Sequence, residues 1–112
     1  MAQVMGELIV KPQVIEVSPI LNVILLQVAT CSYNPRVQRN ITDTHRVIAF
    51  DNEMIDRLKS LNQGAVVWAI GKMQTRRYTP VKGGTKLVTE LVAENVQIVR
   101  AGPSVNNGIR FV

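Results

Sequence analysis

Cysteine occurs once in the 112 residues, as Cys31, so no disulfide can close within the chain and no cysteine-based zinc site can form. Histidine also occurs once, as His45, which leaves no histidine pair for a metal and no Cys-His couple at a recognisable spacing. A phosphate loop is absent, since Gly83-Gly84-Thr85-Lys86 has its letters in the wrong order. Glu90 and Glu94 stand four apart with no evident partner to fit either for acid–base work. Together these absences argue against an enzyme and imply no metal or cofactor. No apolar run reaches the roughly 18 residues that a membrane-spanning helix requires. The first residues lack the layout of a secretory signal and the Arg- and Ser-rich look of a transit peptide. Aromatic residues make up only 4% of the chain.

Hydrophobic residues reach 46% and charged residues 19%, an ordinary globular balance at the length of one domain. A domain of this size buries roughly two-thirds of its unfolded surface, enough for one core. The formal net charge is +5, which favours polyanionic partners only weakly by itself. Its distribution is more informative. Between Gly71 and Thr89 stand five cations (Lys72, Arg76, Arg77, Lys82 and Lys86) and no acid, whereas Asp51, Glu53 and Asp56 gather in one short segment.

Residues 4–10 read as a first strand with Gly6 inside it, and a strand glycine marks a bulge, a bend or a close backbone approach. Lys11-Pro12 breaks the run. Residues 20–30 read as a second strand, almost continuously apolar through Val23–Leu26, which implies burial on both faces, in the core or against another subunit. Residues 31–43 are polar, turn at Asn34-Pro35 and read as an exposed hairpin loop. A third strand follows over 44–50. Met54, Ile55, Leu58 and Leu61 then recur at helical spacing, with Asp51 as N-cap, Gly64 as terminator and Glu53–Arg57 as a favourable pair, predicting a helix over 52–63. Strands over 65–79 and 86–99 flank a Gly-rich loop at 81–85. The order β-β-β-α-β-β predicts an all-β domain with one helix, a five-stranded oligonucleotide-binding barrel over residues 1–100, followed by a short C-terminal extension over 101–112.

The strand over 65–79 ends by alternating Lys72, Arg76 and Arg77 with apolar and polar residues up to Tyr78. Cations and a ring on one strand face suit an unpaired nucleic-acid strand: the cations meet phosphates and the ring stacks on any base. Adjacent Arg76 and Arg77 should point to opposite faces, so one of them enters such a groove. Tyr33, with Arg36 and Arg39 nearby, repeats the combination in the polar segment. The Gly83-Gly84 loop between Lys82 and Lys86 reads either as a hairpin turn or as a flap over a bound strand. Phe50 and Trp68 each read as core or as contact.

Thr44-His45-Arg46-Val47-Ile48-Ala49-Phe50, the helix that follows, Gly64-Ala65-Val66-Val67-Trp68, residues 71–78 (GKMQTRRY) and Thr89-Glu90-Leu91-Val92-Ala93 resemble the bacterial and mitochondrial single-stranded DNA-binding protein family over about half the chain. Val4-Met5-Gly6 and Lys11-Pro12-Gln13 match its first strand and turn more loosely. The resemblance implies a barrel, usually a homotetramer, that coats exposed single strands without strong sequence preference in replication, recombination or repair. It places Phe50, Tyr78 and Tyr33 at stacking positions and Trp68 where a tyrosine lies near bound DNA. It assigns His45, with Val4 and Gly6, to the subunit interface. Thr44 stands where many members stack a tryptophan, and the chain ends Gly108-Ile109-Arg110-Phe111-Val112 without the acidic tip that recruits other enzymes. A phage, mobile-element, organellar or primosomal relative fits those departures.

The candidate nucleic-acid contacts are therefore Tyr33, Arg36, Arg39, Arg46, Phe50, Trp68, Lys72, Arg76, Arg77, Tyr78, Lys82 and Lys86. The ligand is single-stranded DNA, with RNA not separable by sequence. The alternative is an oligomeric barrel scaffold that binds protein partners. The expected compartment is the cytoplasm, with the mitochondrial matrix as the other option, and no membrane is involved.

Overall fold

The computed structural model describes residues 1–78 and 83–102, the side chains of Tyr78 and Lys86 excepted. Its elements are β1 (Ala2–Leu8), β2 (Gln13–Ser18), β3 (Leu21–Asn34), β4 (Arg39–Ala49), α1 (Asn52–Leu58), β5 (Val66–Tyr78) and β6 (Lys86–Arg100). The sheet runs β1-β5-β6-β4-β3-β2, and a further β1–β3 pairing at Glu7↔Ala29 and Leu8↔Val28 closes it into a barrel. The closed ring holds five strands, as the sequence order predicts. All pairs are antiparallel except β4–β6, where Val47 faces Leu91 and Ile48 faces Val92.

The sixth strand, β2, is not anticipated from the sequence. It pairs with Leu21–Leu25 on the edge of β3 that β1 uses further along, so β1 and β2 line one edge in succession. Their joint is held by Ile9 N–H donating to Gln27 O at 3.1 Å. Val14, Ile15 and Val17 hide in the sequence because Pro12 and Pro19 bracket the segment closely and all three stay exposed.

Leu8, Ile24, Leu26, Val28, Val47, Val67, Ala69, Leu91 and Val96 point inward and form the core with Met54, Ile55 and Leu58 of the helix. Val23 and Leu25 point outward, where they cluster with Ile48 and Val92. The continuous apolar run of β3 is thus buried on both faces within the one chain. Gly6 marks a close approach: a methyl group there would collide with the Ala29 carbonyl oxygen, so the glycine lets β1 meet β3 and close the ring. Gly71 does the same against the Val92 carbonyl, beside the register shift of β5 on β6.

The helix is shorter than its pattern. Asp51 caps it by accepting from Glu53 N–H at 3.1 Å, and Lys59 is the C-cap. Leu61 is still buried because its N–H turns back to Leu58 O at 3.1 Å, a tighter bond that leaves the helical path. Gly64, at φ 95°, lies five residues past the C-cap, and its N–H donates to Leu8 O at 2.9 Å. Arg57 does not pair with Glu53; its Nη2 donates to Val96 O at 2.6 Å and fastens the helix to β6. The polar segment 31–43 is ladder rather than loop, paired from Cys31↔Thr42 to Asn34↔Arg39 around a turn at residues 35–38. Here β3 and β4 have left the core, so neither face needs apolar residues. The extension expected over 101–112 lies outside the described residues beyond Gly102, and the Gly-rich loop is described only from Gly83. No helix of the described residues is long and apolar enough to cross a membrane.

Candidate nucleic-acid interface

Side chains directly opposite in a ladder share a face, so the register shows which residues meet outside the barrel. Gln27 faces Arg46, Leu25 faces Ile48, and Ile48 faces Val92. Across β5 and β6, Lys72 faces Val92, Gln74 faces Glu90 and Arg76 faces Val88. Arg46, Lys72, Gln74, Arg76 and Glu90 therefore emerge on the same outer face as the apolar pair Val23 and Leu25. Phe50 follows directly after β4 and is 42% exposed.

On this face a groove of about 350 Å³ crosses five strands, and Lys72 lies outside its lining. Its apolar side is made by Ile15 and Val17 of β2, Val23 and Leu25 of β3, Ile48 and Phe50. Its polar side is made by Arg46, Gln74, Arg76 and Glu90. Glu90 is wholly buried between the two arginines. Arg76 Nε donates to its Oε1 at 2.6 Å, Gln74 Nε2 donates to the same oxygen at 3.3 Å, and Arg46 Nε lies 3.6 Å from Oε2. A ring and two cations on an extended surface can hold a flexible polyanion by its phosphates while stacking one of its bases.

The structure brings Arg46, Phe50, Lys72 and Arg76 onto this face. Tyr33, 61% exposed, projects on the same face of β3, but pairs with Asn40, six residues along β4 from Arg46 and so about 20 Å away. Arg36 and Arg39 are exposed at the tip of that hairpin, where Arg36 N–H donates to Asn34 Oδ1 at 2.9 Å. Arg77 emerges on the face opposite to Arg76. The backbones of Tyr78 and Lys86 form the last pair of the β5–β6 ladder; their side chains, and Lys82 entirely, lie outside the described residues.

Trp68 is not part of the groove. It lies eight residues from Arg76 on β5, about 26 Å along the strand, and donates its indole N–H to Gln3 Oε1 at 2.9 Å. Two of the residues expected at a subunit interface are occupied within the chain: Val4 is 9% exposed in the core, and Gly6 is required where β1 meets β3. His45 points inward from β4, its Nε2 2.9 Å from Thr30 Oγ1, at the mouth of the barrel beside Met73 and Thr89. Glu90, which the sequence leaves without a partner, has three. Gln74, Val23, Leu25 and Ile48 also line the groove without being singled out in the sequence as site residues, and Ile15 and Val17 are missed because β2 itself is missed. Among the described residues no group of three or more His, Cys, Asp or Glu could hold a metal ion.

No curated protein matches the sequence significantly. Among solved structures, a Plasmodium falciparum SSB in complex with ssDNA superimposes with a TM-score of 0.76 at 20% identity, covering 88% of this chain and 92% of that one. At that identity the likeness establishes the fold. The profile of the single-strand binding protein family matches residues 1–99, nearly the whole barrel, and the chain belongs to that family.

Proposed function

We propose that this protein binds single-stranded DNA without sequence preference, along the outer groove of β2–β6, and coats strands exposed in replication, recombination or repair. The observation that carries this is the convergence of Phe50, Arg46 and Arg76 on one groove whose remaining wall is apolar. Gln74 and Glu90, the amide and the carboxylate of the groove, bond to each other rather than standing free to read base edges. Family membership and the ssDNA held by the Plasmodium protein support the same ligand. Phe50 stacks a base, Arg46, Arg76 and Lys72 neutralise phosphates, and Tyr33, Arg36 and Arg39 extend the track along the β3–β4 hairpin. Tyr78, Lys82 and Lys86 are assigned to the same track by sequence. The protein acts by binding rather than by catalysis, in the cytoplasm or the mitochondrial matrix.

A second surface supports assembly into a homotetramer. Two lateral rows, Met5–Trp68–Gln97 and Gln3–Ile70–Asn95, occupy the part of the outer face where β1, β5 and β6 run side by side, and neither row contains a charge. Depletion of charge with tryptophan and methionine at the centre is the composition of a protein interface.

The test is a titration of labelled oligo-dT and of a duplex of equal length at several salt concentrations. Selective binding to oligo-dT, with log K falling by about 0.7 per phosphate neutralised for each log unit of salt, is the expected result. Equal, weak binding to both ligands that vanishes at physiological salt refutes the assignment.

A further inference from the structure

Glu90 is the fully buried charged side chain among the described residues, and it lies on the outer face rather than in the barrel core. A carboxylate leaves water only when cations and hydrogen bonds replace its hydration. Here those partners are two residues of the proposed DNA track. Both arginines present the same atom: Arg76 Nε at 2.6 Å from Oε1 and Arg46 Nε at 3.6 Å from Oε2. Gln74 completes the set on Oε1. Apart from that contact with each other, Arg46 Nε and Glu90 Oε2 are buried without a hydrogen bond. The terminal Nη nitrogens of both arginines make no hydrogen bond among the described residues, and the two side chains remain 40% and 51% exposed.

A carboxylate between two cations opposes phosphate binding, because it lowers the charge of the trio from +2 to +1. A surface that acted by charge alone would be stronger without it. We infer that Glu90 is a positioning residue: by holding both Nε atoms it fixes Arg46 and Arg76 as one unit, their Nη edges left for backbone phosphate. Each guanidinium then meets the ligand already ordered, so less side-chain freedom is lost on binding. This inference rests on the single-stranded DNA reading above.

Glu90→Gln separates positioning from charge. It preserves shape and leaves Arg76 an oxygen acceptor, but removes the negative charge. Charge alone predicts tighter oligo-dT binding and a salt slope steeper by about 0.7. Positioning predicts binding about tenfold weaker at fixed salt, the scale of a loosened charge-assisted hydrogen bond, with no steeper slope. Arg76→Lys, which keeps the charge but not the fork, should cost less in the Glu90→Gln background than in the wild type. Unchanged or tighter binding by Glu90→Gln overturns the inference. If that variant does not fold, Arg46→Lys, Arg76→Lys and their double replace it: losses short of additive support a shared anchor, and additive losses overturn it. A wild-type protein that fails to select oligo-dT over duplex removes the proposed function and this inference together. A wild type that selects it while Glu90→Gln binds as well removes only the inference.

Discussion

The indole N–H of Trp68 reaches across to Gln3 Oε1 at 2.9 Å, joining β5 to β1 diagonally on the charge-free face. The ring is thereby tied down beside Gln3 and Met5, outside the arginine groove. Neither row holds a charge that could pair with one placed here. Met5→Glu, at a position 59% exposed in the isolated chain, should leave the barrel folded and shift the sedimenting species to a smaller size. Trp68→Phe should leave the oligo-dT affinity of each binding face unchanged.

Arg57 offers a test of what holds the helix. Its Nη2 bond to the carbonyl of the buried Val96 is charge-assisted and spans 39 residues of sequence. Arg57→Ala removes it and leaves that carbonyl without the donor, a loss of about 1–3 kcal/mol. Denaturant unfolding should show a lower midpoint at unchanged slope. The oligo-dT affinity of the folded fraction should not move, since no residue of the helix lines the groove.

Arg76 and Arg77 are adjacent and opposite. Arg76 lines the groove against Glu90, whereas Arg77 faces away, opposite Leu87. Arg76→Ala should therefore flatten the salt dependence of oligo-dT binding by about 0.7 and weaken binding at every salt. Arg77→Ala should do neither to a comparable degree. Equal effects from the two would mean that the strand passes around the β5–β6 arm rather than along one face of it.

The barrel was legible because its signals are local and strong: the doubly buried Val23–Leu26, the capped helix start at Asp51 and the order of elements. The misreadings share one cause. Where the chain leaves the core, apolar patterning no longer reports secondary structure, so the Thr- and Asn-rich β3–β4 ladder looks like a loop. The same holds for β2, whose exposed Val14, Ile15 and Val17 answer to no core. The site was legible as residue types but not as an arrangement. The acid-free run from Gly71 stops at Thr89, one residue short of Glu90, and only the pairing of β5 with β6 puts that acid beside Arg76. Trp68 shares a strand with the cationic residues, and strand membership alone cannot show that β1, rather than the groove, is its neighbour.

Phe50 decides whether the groove stacks bases or merely attracts phosphates. Of the aromatic side chains described it is the one that lines the groove, with Ile48 and Val17 as apolar neighbours. Being 42% exposed, it contributes little to the core, so its removal should leave thermal stability nearly intact. Stacking of one base is worth about 1–3 kcal/mol. Phe50→Ala should therefore weaken oligo-dT binding by about fivefold to a hundredfold. Because no charge changes, plots of affinity against salt for the two proteins should run parallel. Phe50→Tyr, which keeps a stacking face, should recover most of the loss, whereas Phe50→Leu should not. Recovery by leucine would show that the position supplies only apolar contact, and the groove would then hold its ligand by phosphates alone.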